Sequence, residues 1–110
     1  MATKPFPILF IIPSDIGGAI ASSGLVKRLA DEVPQARFTF VADAYTAPLF
    51  AEVPGRERTI LAEDTEGRLA KFQLWRQLRG QRWGLIVDLR GTGVGKYLNR
   101  ARRAEYRPNG

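Results

Sequence analysis

Two continuous apolar runs constrain this chain more than any other feature. They are Phe6-Pro7-Ile8-Leu9-Phe10-Ile11-Ile12 near the start and Trp83-Gly84-Leu85-Ile86-Val87, which runs into Asp88-Leu89. A strand with one wet face alternates apolar and polar residues. A run without that alternation belongs to a strand covered on both faces, the habit of parallel sheets. The segments between the runs supply the crossovers. Residues 18–32 carry Ile20, Val26, Leu29 and, just beyond, Val33 near helical spacing, and Pro34 ends the pattern. Residues 37–42 read as a second strand, 45–53 as a short helix, and 59–61 as a weak third strand. Residues 67–80 read as a helix with Leu69, Phe72, Trp75 and Leu78 at i+3 steps, which places Phe72 and Trp75 in the core. After the strand at 83–89, residues 94–103 read as a last helix. Strictly alternating strands and helices predict an α/β, Rossmann-like parallel sheet in the order 3-2-1-4, with helices on both faces. Ligands of such sheets bind beyond the carboxyl ends of the strands. Those ends fall at 13–18, 43–45 and 89–95.

The chain has 110 residues, about one domain, and contains neither cysteine nor histidine. That excludes disulfides, thiolate and Ser-His-Asp catalysis, and Cys/His zinc sites. Chemistry here must rest on carboxylates, hydroxyls, backbone amides or Arg and Lys. No apolar run reaches the roughly 20 residues that span a bilayer. The net charge of +6 is unevenly placed: residues 1–75 carry 8 basic and 9 acidic side chains, residues 76–110 carry 9 basic and 2 acidic. A basic final third suits an anionic partner, whether a phosphorylated ligand, nucleic acid or an anionic membrane surface, and equally suits a solubilising face. Aromatic residues interleaved with the arginines are few, so the nucleic-acid signal is weak.

Two glycine-containing loops follow the apolar strands. In Pro13-Ser14-Asp15-Ile16-Gly17-Gly18, the glycines let a ligand approach the backbone at a helix start. Asp15 there is either the helix cap or a general base. Gly91-Thr92-Gly93-Val94-Gly95-Lys96 is one residue short of a P-loop and lacks its Ser or Thr; it also misses the dinucleotide fingerprint. It reads as a turn into a helix whose amides can hold an anionic oxygen. Asp88 reads as a structural strand-end carboxylate. Glu63, Asp64 and Glu66 read as a solvated helix start. There is no Asp-x-Asp, hence no expected site for a divalent metal.

In order and spacing, these segments resemble the N-terminal half of glycosyltransferase family 9, the heptosyltransferase group of lipopolysaccharide core assembly. The resemblance is carried by Ile12-Pro13-Ser14-Asp15-Ile16-Gly17-Gly18, by Val33-Pro34-Gln35-Ala36-Arg37-Phe38-Thr39-Phe40-Val41, by Tyr45-Thr46-Ala47-Pro48-Leu49-Phe50 and by Trp83-Gly84-Leu85-Ile86-Val87-Asp88-Leu89-Arg90-Gly91. It spans nearly the whole chain. It implies that residues 1–110 form the acceptor-side domain of a longer, two-domain GT-B enzyme. That enzyme would transfer heptose from an ADP-heptose-like donor to a lipopolysaccharide core glycolipid, with inversion and without metal or other cofactor. The C-terminal, donor-binding domain is then a partner absent from this sequence. The resemblance also implies a cytoplasmic location, with peripheral contact at the anionic inner leaflet. Asp15 becomes the candidate base, and Ser14, Gly17, Gly18, Arg90, Gly91 and Thr92 the candidate acceptor-binding residues. The chain departs from the pattern where the family has its catalytic aspartate, which aligns with Gly18, and where the family has an arginine, replaced by Ile12 or Pro13. The alternative is a non-catalytic Rossmann-like module that binds an anionic ligand or nucleic acid through its basic third.

Overall fold

The computed structural model describes residues 4–62, 67–93, 98 and 100–105. The expected carboxylate group at Glu63, Asp64 and Glu66 lies outside them, as do residues 94–97 and 99 of the expected last helix. Five strands form one parallel sheet: β1 (Phe6–Ile11), β2 (Ala36–Ala42), β3 (Arg56–Leu61), β4 (Trp83–Asp88) and β5 (Arg100–Glu105). Their order is β3-β2-β1-β4-β5. The chain first winds outward from β1 through β2 to β3, then returns to the other side of β1. The switch point therefore lies between β1 and β4, as the sequence order predicts.

Helix α1 (Ile16–Glu32) and a 3₁₀ turn (Ala47–Phe50) cover one face; α2 (Arg68–Leu78) covers the other. The two faces are built from alternate residues of the same strands. Ile8, Phe10, Phe38 and Phe40 pack toward α1, together with Phe50. Leu9, Ile11, Val41 and Ile86 pack toward α2 with Leu74, Leu78 and Trp83. Because β1 is buried on both sides, it needs the unbroken apolar run that its sequence shows. Aromatic rings dominate the α1 side, where Phe38 and Phe40 stack at 5.7 Å and Phe40 meets Phe50 at 4.8 Å.

Three expectations are corrected. Residues 100–103 are not helical: they belong to β5, which pairs in parallel with β4. The sequence Arg-Ala-Arg-Arg-Ala-Glu carries no apolar strand signal, and a strand at the sheet edge does not need one. In α1, Ile20 is 55% exposed, and the seam is formed instead by Ala19, Ser22 and Val26. In α2, Phe72 is 53% exposed and Leu69 69%, while Leu74 and Leu78 are buried and Trp75 is half-buried. The reason is geometric. Successive i+3 steps on a helix of 3.6 residues per turn each fall back by roughly 60°. Leu69, Phe72, Trp75 and Leu78 thus sweep about half the circumference, from the solvent side to the core.

Turn chemistry fixes the connection into β3. Gly55 has φ +85°, and a Cβ there would lie 2.5 Å from the Ala36 carbonyl oxygen. Only glycine meets both demands.

Candidate functional site

The site grows from three aspartates placed at or just beyond the carboxyl ends of β1, β2 and β4. Each serves the backbone of the segment that follows. Asp15 has extended backbone and caps α1: its Oδ2 accepts from the Gly18 amide at 2.6 Å. Asp43 Oδ1 accepts from the Thr46 amide at 3.0 Å and from the Thr46 hydroxyl at 2.8 Å. These bonds, with the nearby charge of Arg90, outweigh burial and hold the Asp43 carboxyl below its ordinary range; the Thr46 hydroxyl is the largest cause.

Asp88 is fully buried. Its Oδ1 accepts from the amides of Arg90, Gly91 and Thr92, and its Oδ2 from the Gly93 amide at 2.8 Å and the Thr92 hydroxyl at 2.8 Å. Gly91 and Gly93, with φ of +78° and +75°, bend the loop around the carboxylate. The amides that the glycine pattern offers to an anionic oxygen thus face the chain's own carboxylate.

Arg90 ties the strand ends together. Its Nε donates to the Ile12 carbonyl at 2.8 Å and its Nη1 to the Ala62 carbonyl at 2.7 Å. One guanidinium leaving β4 therefore grips the chain beyond β1 and beyond β3, and its charge acts on Asp43 after β2.

Above this floor lies an open crevice of about 750 Å³ at the switch point. Pro13, Ser14 and Asp15 form one wall, Leu89 and Arg90 another, and Gly18, Ala21, Ser22 and Leu25 of α1 the third. Of the residues singled out in the sequence, Ser14, Asp15, Gly18 and Arg90 line it. Gly17, Gly91 and Thr92 do not, and Thr92 is buried with its hydroxyl on Asp88. Ala21, Ser22 and Leu25 were not singled out in the sequence. Their i, i+1 and i+4 positions on a helix starting at the strand end were the available signal. Ser22 is nearly buried, with its hydroxyl donating to the Gly18 carbonyl at 2.7 Å.

Among the described residues, the Asp15 carboxylate is the one acidic group in the crevice wall. A Cβ placed on Gly18 would stand 3.0 Å from both of its oxygens and 3.1 Å from the Pro13 Cβ. The carboxylate of residue 15 therefore fills the space that a side chain at 18 would enter. Among the described residues, no group of three or more carboxylates gathers to hold a metal ion.

Fold and crevice define a Rossmann-like α/β domain with an open crevice at the switch point. The same fold occurs in the crystal structure of a glycosyl transferase family 9 protein from Veillonella parvula DSM 2008. The match has a TM-score of 0.67 and 17% sequence identity, over 88% of this chain and 29% of that one. A different curated protein, ribosomal large subunit pseudouridine synthase B of Xanthomonas axonopodis pv. citri (strain 306), is 36% identical over 84 residues. That stretch covers 72% of this chain, which spans only 15% of the length of that relative. No family model matches the chain.

Proposed function

We propose that the chain is the acceptor-side domain of a GT-B glycosyltransferase that transfers heptose from an ADP-heptose-like donor to a lipopolysaccharide core glycolipid. The observation that carries this reading is the Asp15–Gly18 pair in the switch-point crevice. Glycosyltransferase family 9 has its catalytic aspartate where this chain has Gly18. Here a carboxylate from three residues earlier occupies the adjoining space, on the crevice wall. In an inverting transfer, Asp15 accepts the proton of the acceptor hydroxyl as that oxygen attacks the anomeric carbon. The bond from the anomeric carbon to the nucleoside diphosphate breaks, and the nucleotide leaves with the electron pair. The donor site belongs to the second domain.

The test is transfer by the full-length gene product carrying Asp15→Asn, or the exchange Asp15→Ala with Gly18→Asp. Asp15→Asn abolishes transfer, with loss of at least about 100-fold, the usual scale for a general base. The exchange restores part of it. An Asp15→Asn enzyme with its rate intact leaves Asp15 as a helix cap and overturns the assignment.

A second reading is favoured by the stretch shared with the pseudouridine synthase. It makes the domain a non-catalytic module that binds nucleic acid through its basic surface. Salt-sensitive binding of ribosomal RNA fragments, together with no transfer by the full-length product, selects it.

A further inference from the structure

The switch-point crevice sets one carboxylate among apolar residues, one on each wall. Pro13 stands beside Ser14 and Asp15, Leu89 beside Arg90, and Leu25 ends the α1 stripe. Leu25 is 43% exposed and Leu89 half-buried, so both have apolar surface to offer a ligand. Leu25 lies seven residues after Gly18, about 10 Å along the helix axis. Leucine side chains lean back toward the start of a helix, so Leu25 and Asp15 bracket a gap on the scale of one sugar ring. The groups that suit an anion are engaged within the chain. The Gly91, Thr92 and Gly93 amides donate to Asp88. Among the described residues, Arg90 is the one cation lining the crevice. It is half-buried, it donates from Nε and Nη1 to the Ile12 and Ala62 carbonyls, and its charge acts on Asp43. A ligand anion would lose water on entry and meet the charge of Asp15, while the charge of Arg90 is already shared with Asp43.

We infer that Leu25 and Leu89 set acceptor specificity: they hold the C–H face of an uncharged pyranose whose hydroxyl meets Asp15, and the crevice rejects the acidic form of the same ring. This deepens the transferase reading and rests on it for the role of acceptor. A pyranose carries C–H groups on its face and hydroxyls around its rim. That suits a pocket that is mostly apolar, with a few polar groups to fix orientation. The leucines supply attraction for the neutral ring. The Asp15 charge supplies repulsion against a carboxylate, and discrimination needs both.

The experiment titrates the full-length gene product, without donor, with two probes followed by saturation-transfer NMR. They are methyl α-D-mannopyranoside and the methyl glycoside of mannuronic acid, which differ only in a hydroxymethyl group against a carboxylate. The neutral probe binds at least about tenfold more tightly, a difference of about 1.4 kcal/mol. In the unmodified protein, irradiating the leucine methyl groups saturates the ring C–H protons of that probe, which tests the contact without any substitution. Leu25→Ala weakens the neutral probe about fivefold, from the lost apolar contact. Leu25→Arg places a cation on the wall and reverses the preference. Thermal melting checks that each variant is folded. In transfer assays, Leu25→Ala raises the acceptor KM more than it lowers kcat, the mark of a binding contact rather than of the reacting group. No binding of the neutral probe, equal binding of the two, or binding indifferent to Leu25 overturns the inference. The binding arm needs no reaction, so the two readings fail separately. Absence of transfer with the neutral preference and its Leu25 dependence intact overturns the transferase reading and upholds the leucine wall. Transfer with a preference for the acidic probe overturns the wall alone.

Discussion

Asp15, Asp43 and Asp88 do the same job in three environments. Each follows or ends an apolar strand, and each accepts from amides of the turn beyond it. Parallel strands all release their chains at one edge, so every exit needs an acceptor for the next segment's amides. What differs is exposure. Asp88 is sealed, Asp43 nearly so, and Asp15 stands on the crevice wall, where a carboxylate can meet a ligand. Asp43 makes stability depend on pH. Its folded pKa lies below the ordinary value of 3.8, so the stabilisation is fully present above that value. It is lost as pH falls through the folded pKa. Urea unfolding midpoints followed downward from neutral pH should hold until about pH 4 and then drop. Thr46→Val, which removes the largest cause of the shift, should make that drop shallower.

Among the secondary elements, α2 shows how little a spacing rule says about phase. Leu78 is fully buried against the sheet, and its backbone carbonyl accepts the indole N–H of Trp83 at 3.1 Å. Trp83 thereby closes the helix end while filling the core. Leu69 belongs to the same i+3 row but points to solvent. Leu78→Ala should cost about 2–5 kcal/mol in chemical denaturation. Leu69→Ala should stay within about 0.5 kcal/mol. Equal losses would mean that α2 sits on the sheet in a different rotation. The strands carry a parallel lesson. β1 and β4, in the interior, read FPILFI and WGLIVD, whereas the outer strands β3 and β5 read RERTIL and RARRAE. Charged sequences at the borders of a sheet discourage pairing with another chain.

At the scale of the whole molecule, the crevice holds its shape because Arg90 joins the chain beyond β1 to the chain beyond β3. Arg90→Lys keeps the charge but not the planar fork that reaches both carbonyls. It should destabilise the fold by about 1.5–3 kcal/mol, the range for bonds from a charged donor. Amide hydrogen exchange should accelerate first near Ile12 and Ala62. Uniform exchange, unchanged at those two positions, would show that the strand ends hold without it. The sequence alone determined the layered α/β plan and its 3-2-1-4 order. Continuous apolar runs and their alternation with helices are local patterns, and right-handed crossovers leave few ways to assemble them. It also placed Ser14, Asp15, Gly18 and Arg90 at the strand-end edge, where they line the switch-point crevice, because strand ends can be read from where an apolar run stops. Tertiary structure alone decided the rest. It turned α2 so that Phe72 faces water, since the rotation of a helix depends on the surface beneath it. It recruited Arg100–Glu105 as a strand, since an edge pairing is supplied by the neighbour's open amides and carbonyls. It aimed the Gly91 and Gly93 amides at Asp88 rather than at a ligand, since a buried carboxylate must be satisfied from within reach.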